Sequence, residues 1–329
     1  MDKNIIDSSG RLIPLKYKIP KERIGIEKTL KIKGIISSKS LFSNAFKIFL
    51  ENLININDEL KEDIENFSSR KLTDEKKLET LIEGSIDRVV DQEKKEKIGE
   101  KGIKKIKAEI LIEFKKMRKK ERMEQFNKIK DKSDSMLQLL ADFNENRKED
   151  IEVFVIKDFY ICKNCGNLIS INRFKKTNCP CGETINKIKN VDKGSISLLD
   201  DNVEMFFKKD FWLEYGIDYM LQKNSFKTFC GYSFLGSSGV YHEIDNMAQK
   251  SSKNKRVACE CKNKRLSLKD AIIFNNKIKD LGINNGYLIT TSSEKANIDI
   301  EIFCDNSNIK IIDSVLEEKE EIENIFKKM

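Results

Sequence analysis

The sequence predicts a multi-domain chain: a mostly α-helical N-terminal region, a small β unit built around paired cysteines, and a C-terminal α/β domain with a mixed central sheet. Three observations predict it. At 329 residues the chain exceeds one typical domain. Charged residues are 35% of it and hydrophobic ones 39%, a balance that fits long solvated helices beside a smaller compact core. After Asp150 the composition turns abruptly from a Lys- and Glu-rich stretch to the β-rich run IEVFVIKDFYICKNCG.

No run approaches the roughly 18 to 20 apolar residues that span a bilayer. The N-terminal stretch MDKNIIDSSGRLIPLKYKIP also lacks the apolar core of a signal peptide. The expected setting is the cytoplasm of a prokaryotic cell, with no membrane partner. In that reducing compartment the eight cysteines are read as metal ligands or thiols before disulfides.

Residues 1–36 alternate short apolar clusters with Gly10, Pro14, Pro20, Gly25 and Gly34, which predicts an extended or β arm rather than a helix. Residues 37–150 read as a charged helical region. From Ser40 the positions Phe42, Ala45, Phe46, Phe49, Leu50 and Leu53 recur at helical spacing, and a second helix is expected from Thr73 to Val89. Ile103, Ile106, Ile110, Phe114 and Met117 form a further stripe that resembles a coiled-coil arm. Its phase is lost before Phe126 and Ile129, which favours a helical hairpin or bundle over a long coiled coil.

The formal charge of +8 is unevenly placed: residues 51–91 hold 12 acids against 6 bases, and residues 92–132 hold 16 bases against 8 acids. Such a basic stretch either follows a nucleic-acid backbone, joins a second subunit as a homodimer, or is a solvated helix face.

Residues 151–195 carry the cysteine pairs. Two residues separate Cys162 from Cys165, one separates Cys179 from Cys181, and 13 lie between the pairs. Four thiolates from two tight turns supply the tetrahedral shell that zinc prefers, and Gly166 and Gly182 follow each pair where a knuckle needs a permissive backbone. The stretch CKNCGNLISINRFKKTNCPCGE resembles a zinc ribbon, departing from it in having only Pro180 inside the second knuckle. The resemblance implies a closed structural Zn2+ site on Cys162, Cys165, Cys179 and Cys181, with Arg173, Lys175 and Lys176 as candidate DNA contacts.

The chemistry is expected in residues 204–329. A helical stretch carries Glu214 among Phe211, Trp212, Leu213 and Tyr215, and two β-like runs, GVYHEIDNMA and RVACECK, flank the polar turn QKSSKNK. A turn centred between Ser252 and Lys253 sets Asp245 opposite Glu260. Opposed residues share a face at about 5 Å, which suits one divalent cation between two carboxylates. Alternation then adds Lys262 to that face. The competing reading pairs Lys262 with Glu243, which the same register sets opposite it.

Downstream, SLKDAIIFNNKIKDLG predicts a helix, GYLITTS a buried strand, Glu294 to Cys304 a short helix and IKIID a last strand. With GYSFLG as the first strand, the order is helix, three strands, helix, strand, helix, strand. This order, with Glu214, Asp245 and the Glu260-Cys261-Lys262 triplet, resembles the restriction-endonuclease-like PD-(D/E)xK nuclease superfamily. The GYLITTS…IKIID tail is similar to its Mrr-like branch. Ile244 stands where the nominal motif has Pro, and Glu260, where Mrr-like members often carry Gln, is nearer the Holliday-junction-resolvase pattern.

The resemblance implies a divalent-metal-dependent DNA endonuclease of restriction, repair or defence type, acting on double-stranded or branched DNA. Asp245, Glu260 and the Cys261 carbonyl would hold Mg2+ or Mn2+, and Lys262 would orient the attacking water. Glu214 would meet the metal through water, and Lys264 and Arg265 would touch phosphates. Two other classes stay open: a catalytically silent nucleic-acid-binding or assembly protein on the same fold, and a transcription-associated zinc-ribbon factor.

Overall fold

The computed structural model describes residues 16–32, 43–69, 92–147, 153–164, 166, 168–170, 179, 191–250, 255–317 and 319–328, with isolated positions between 80 and 88. The chain divides into two compact units, one of residues 1–54, 144–153 and 200–329, the other of residues 55–143 and 154–199. The helical region and the cysteine-bearing strands, expected to be separate domains, thus share one unit. No described helix is long and apolar enough to cross a membrane.

In the first unit, β1 (Tyr17–Lys18), β5 (Lys227–Leu235), β6 (Tyr241–Lys250), β7 (Lys255–Lys262), β8 (Gly286–Thr290) and β9 (Ile309–Ile312) form one six-stranded sheet in that order. The pairs from β1 to β7 are antiparallel, and β7, β8 and β9 run parallel, so the sheet is mixed. Around it lie α4 (Asp201–Lys208), α5 (Phe211–Lys223), α6 (Leu268–Asp280), α7 (Ile298–Asn306) and α8 (Lys319–Lys328). From α5 to β9 the elements follow the expected order of helix, three strands, helix, strand, helix, strand.

Helix α6 starts where Ser267 and Asp270 cap each other's backbone, a reciprocal arrangement that satisfies two orphan N–H groups. Its apolar face, Ala271, Phe274 and Ile278, packs with Ile244, Met247, Ala258, Leu288 and Ile309 of the sheet. A second core gathers Phe46, Phe206, Phe207 and Trp212, all but fully buried. Burying a side chain of this size contributes about 1.5 to 3 kcal/mol, so these two cores hold the unit together.

The extended-arm reading of residues 1–36 is corrected at Lys21–Ile32, which form the helix α1. Pro20 precedes its first turn, where a missing N–H is harmless, and Gly25 lies mid-helix in open space. Arg23, Ile26 and Leu30, at i, i+3 and i+7, make the buried stripe. The extended part that remains in the described residues is β1, which pairs with β5.

The second unit contains α3 (Gln92–Arg147) as far as Phe143, broken at Gly99, the later part of α2 (Asn44–Ser69), and a sheet ordered β3 (Leu168–Ser170), β2 (Phe154–Cys162), β4 (Val191–Leu199). On α2, Phe46, Phe49, Leu50 and Leu53 are buried as their spacing requires. On α3 the buried stripe is Phe126, Ile129, Ser133, Met136 and Phe143, which follows a heptad. The Ile103 to Met117 stripe is solvated instead, with Ile110 40% and Met117 59% exposed. Asn57 accepts from the Leu199 N–H at 3.0 Å and Ser133 from the Ser197 N–H at 2.8 Å, so the sheet edge is closed by helix side chains. Gly194 lets the Phe126 ring approach to where a Cβ would sit 2.5 Å from its Cζ. Most of the helix expected from Thr73 to Val89 lies outside the described residues.

One clasp in the first unit gives a pH-dependent prediction. Asp280, ending α6, accepts from Ser237 Oγ (2.6 Å), Ser238 N (2.9 Å) and Ser238 Oγ (2.6 Å), and its Oδ2 lies 2.7 Å from His242 Nε2. The Ser237 and Ser238 hydroxyls, then His242, hold its carboxyl well below the usual range. A carboxyl depressed in the fold stabilises above its unfolded pKa of about 3.9, and that stabilisation disappears as pH falls below it. Asp280→Asn should therefore lower the melting temperature by a few degrees at pH 7, and the gap from wild type should begin to narrow only below about pH 4 and close as pH falls further, through the depressed folded value.

Candidate functional site

The hairpin β6–β7 pairs Asn246 with Cys259 and Gln249 with Arg256, the register of a turn centred between Ser252 and Lys253. The paired register ends at Asn246 and Cys259; carried one step further it sets Asp245 opposite Glu260, and the Asp245 carboxylate does lie beside this part of β7, accepting from the Cys261 N–H. By the β5–β6 register, Gly231 falls opposite Asp245 on the other side. Gly231, Asp245 and Glu260 thus form one row across three strands, and Lys262 stands two residues along β7 on the same face.

Around Glu260 the geometry is tight. Lys262 Nζ donates to its Oε1 at 2.9 Å, and Lys277 Nζ, from α6, lies 3.2 Å from Oε1 and 3.1 Å from Oε2. Asp245 Oδ2 accepts from the Cys261 backbone N–H at 2.7 Å. Burial, then the neighbouring Glu260, push the Asp245 carboxyl up to about 7. Burial opposes charge on Lys262 too, but Glu260 and Asp245 outweigh it and hold the ammonium above the ordinary lysine range. Its two carboxylate neighbours thus favour the charged form of Lys262.

The pairing of Lys262 with Glu243 does not form. Glu243 instead accepts from Arg23 Nη2 at 3.1 Å, and Arg23 Nη1 lies 2.8 Å from Glu214 Oε2. The guanidinium is buried, stacks 3.7 Å above the Phe211 ring centroid, and fills the space over Gly231, whose φ is +66°. A Cβ there would lie 2.2 Å from Arg23 Cζ, so only glycine permits this approach. Glu214, in the first turn of α5, is also buried. Burial, then the charge of Asp245, push its carboxyl upward, and Arg23 counters them.

Sequence reasoning missed Arg23 and Lys277. It also missed the clamp on the loop after Lys262, where Asn263 donates to Asp210 Oδ1 at 3.0 Å and accepts from Thr291 Oγ1 at 2.7 Å. Lys47 Nζ reaches the same Thr291 hydroxyl at 3.4 Å. Lys264 and Arg265 are exposed, in surface ion pairs with Asp270 (3.8 Å) and Glu294 (3.0 Å). Such pairs hold little energy and leave both free to exchange partners.

A divalent cation fits the row in its donor chemistry: two opposed carboxylates, one with its ionisation resisted by the other, beside backbone groups. Magnesium keeps several waters and needs only one or two protein carboxylates. Among the described residues there is no group of three or more His, Cys, Asp or Glu side chains arranged for a metal. At the cysteine pairs, Cys162 ends β2 and Cys179 is buried like it. Gly166, with φ +73°, donates its N–H to the Cys162 carbonyl at 2.8 Å. Cys165, Cys181, Arg173, Lys175 and Lys176 lie outside the described residues.

No protein-family model matches the chain, and no curated protein matches it in sequence. Among solved structures, protein VC1899 from Vibrio cholerae is similar at 15% identity and a TM-score of 0.33, over 43% of this chain and 39% of that one. Can2 from Sulfobacillus thermosulfidooxidans, solved in complex with cyclic tetra-adenylate, is similar at 14% identity and a TM-score of 0.32, over 43% of this chain and 41% of that one. The matches therefore span about two fifths of those chains.

Proposed function

We propose that the chain is a divalent-metal-dependent nuclease that hydrolyses DNA phosphodiester bonds, in a restriction, repair or defence role. The observation that carries this reading is the cluster itself: Asp245 on β6 beside Glu260 on β7, with Lys262 in contact with Glu260, at the end of the parallel strand β7. Open α/β sheets bind ligands at the carboxyl ends of their strands. Asp245, Glu260 and the Cys261 carbonyl would hold Mg2+ or Mn2+, which when bound supplies positive charge on the phosphate and an acidified water.

The protein's own contributions follow from the geometry. The Cys261 N–H fixes the Asp245 carboxylate. Lys262, in contact with Glu260, orients the attacking water and would act as its base only where a bound metal and burial lower its pKa. Glu214 approaches the row from α5, and Lys264 and Arg265 border it as phosphate contacts. The basic stretch of α3 adds affinity for double-stranded or branched DNA or joins a second copy of the chain.

The test is nicking of supercoiled plasmid, and cleavage of labelled duplex, branched and single-stranded DNA and of RNA, with Mg2+ and with chelator. Metal-dependent cleavage of a DNA form is the expected result. Cleavage of none of them favours the second reading, a catalytically silent nucleic-acid-binding or assembly protein. One observation supports that alternative: Glu260 is matched by two ammoniums and Glu214 by Arg23, so the centre is charge-balanced without a metal.

We further propose a structural Zn2+ on Cys162, Cys165, Cys179 and Cys181. Metal analysis of freshly reduced protein should find about one zinc per chain. Cys165→Ser should lower thermal stability without a selective loss of chemistry, and finding no zinc removes the site.

A further inference from the structure

We propose that Lys277 is a second lysine of the same centre, contacting a non-bridging oxygen of the scissile phosphate once a divalent cation occupies the Glu260 carboxylate. The proposal rests on the nuclease reading above. Lys277 spans both Glu260 oxygens, at 3.2 and 3.1 Å, from α6 rather than from the sheet that carries Lys262. Its side chain is 21% exposed and Glu260's is 8% exposed, so the contact is largely shielded from water.

A carboxylate whose lone pairs turn to a cation cannot keep two ammoniums in the same directions. Lys262 is tied to the β7 backbone two residues from Glu260 and borders Asp245 as well. Lys277 makes its direct contacts in the row with Glu260, acts on Asp245 only through its charge, and reaches in from another element on a flexible four-carbon stem, so it is the one released. Its backbone stays in place, because Ser267 and Asp270 cap α6 and Phe274 and Ile278 are buried on either side. The nearest uncompensated anion for a released ammonium is then the phosphate.

Charge accounting gives the chemical reason. Two carboxylates, two lysines and a divalent cation sum to +2. In hydrolysis the water oxygen bonds to phosphorus, one bridging P–O bond breaks, the attacking water gives a proton to solvent water and the leaving oxygen takes one from solvent water. Between those events the phosphorus centre carries two negative charges, one more than the substrate diester. Lys277 makes the site match the transition state rather than the ground state, and only such interactions accelerate the step.

The experiment compares wild type, Lys277→Met and Lys277→Arg in the full chain. It measures Mn2+ binding by calorimetry without nucleic acid, single-turnover DNA cleavage at saturating metal, and melting temperature. Lys277→Met should bind Mn2+ roughly tenfold tighter, since a competing cation is gone, yet cleave about a hundredfold slower. Lys277→Arg should keep part of the rate. If Lys277→Met fails to fold, Lys277→Gln is read the same way. Cleavage unchanged in a folded variant, or Mn2+ affinity unchanged or weaker, overturns the proposal while wild-type activity keeps the nuclease reading intact. A wild type that neither binds Mn2+ nor cleaves overturns both.

Discussion

Replacing Asp245 or Glu260 by alanine is expected to abolish metal-dependent cleavage, by about a thousandfold or more, with nucleic-acid binding retained. Their effects on stability should differ, and the difference comes from the geometry. Asp245 is a partly buried carboxyl; desolvation and the neighbouring Glu260 push its pKa up to about 7. Its ionisation destabilises the fold progressively as pH rises from about 4 toward 7, so Asp245→Ala should melt at or above wild type at pH 7.5. Glu260 is the shared partner of Lys262 and Lys277. Removing it strands two shielded ammoniums, and Glu260→Ala should lose about 1 to 3 kcal/mol.

Lys262→Ala should also stop cleavage, while Lys277 still holds Glu260 and the melting temperature falls less. Cleavage assays beside thermal melts on these three variants decide the matter. Normal cleavage by either acid variant would remove the row from catalysis.

The register of this row was legible because a hairpin has only two unknowns, its period and its centre. The polar run QKSSKNK between two apolar strands fixed the centre, and alternation then placed Asp245, Glu260 and Lys262 on one face. The order of strands and helices after Phe211 was legible for the same local reasons, down to the Ser267 cap. What failed was everything that depends on distant chain. Lys262 had Glu243 as an apparent partner only because the residue that takes Glu243, Arg23, lies 220 positions away.

Arg23 itself was hidden by punctuation: Pro20 and Gly25 read as breakers, although a proline before a first turn and a glycine facing open space both tolerate a helix. With α1 recognised, a charged residue in register with Ile26 and Leu30 would have been a signal, since a buried arginine must find an anion. Lys277 flanks the apolar face of α6, the position where a lysine stem covers hydrophobic surface and its head reaches out, so nothing in the pattern marks it. The stripe from Ile103 to Met117 shows the converse. Spacing established a helix there, but burial needs a partner, and the residues that found one begin at Phe126.

Arg23→Met should be the most destabilising single change in the first unit, by about 3 to 5 kcal/mol, because it breaks a buried ion pair by removing one partner. The guanidinium meets Glu214 at 2.8 Å and Glu243 at 3.1 Å. Glu214 is the member that suffers, since its side chain is 8% exposed, whereas Glu243, at 47%, can turn to water. Lysine is not an adequate replacement: a single ammonium cannot reach both carboxylates while also covering the Phe211 ring as the guanidinium does at 3.7 Å. Arg23→Lys should therefore recover only part of the loss. Gly231→Ala should mimic the defect from the other side, since its Cβ would occupy the guanidinium's space at a backbone φ of +66°. The pairing is separated from simple packing by a double-mutant cycle: Arg23→Met combined with Glu214→Gln should be more stable than the sum of the single losses predicts, by about 1 to 3 kcal/mol. Denaturant melts of the four proteins measure it, and additive losses would mean that the two side chains act independently. A coupled result also carries a functional consequence, because Glu214 is then held next to the Asp245 row by a residue of α1. Any fragment beginning after Ile32 should show the same loss of stability and, with Glu214 released, a slower cleavage rate than the full chain.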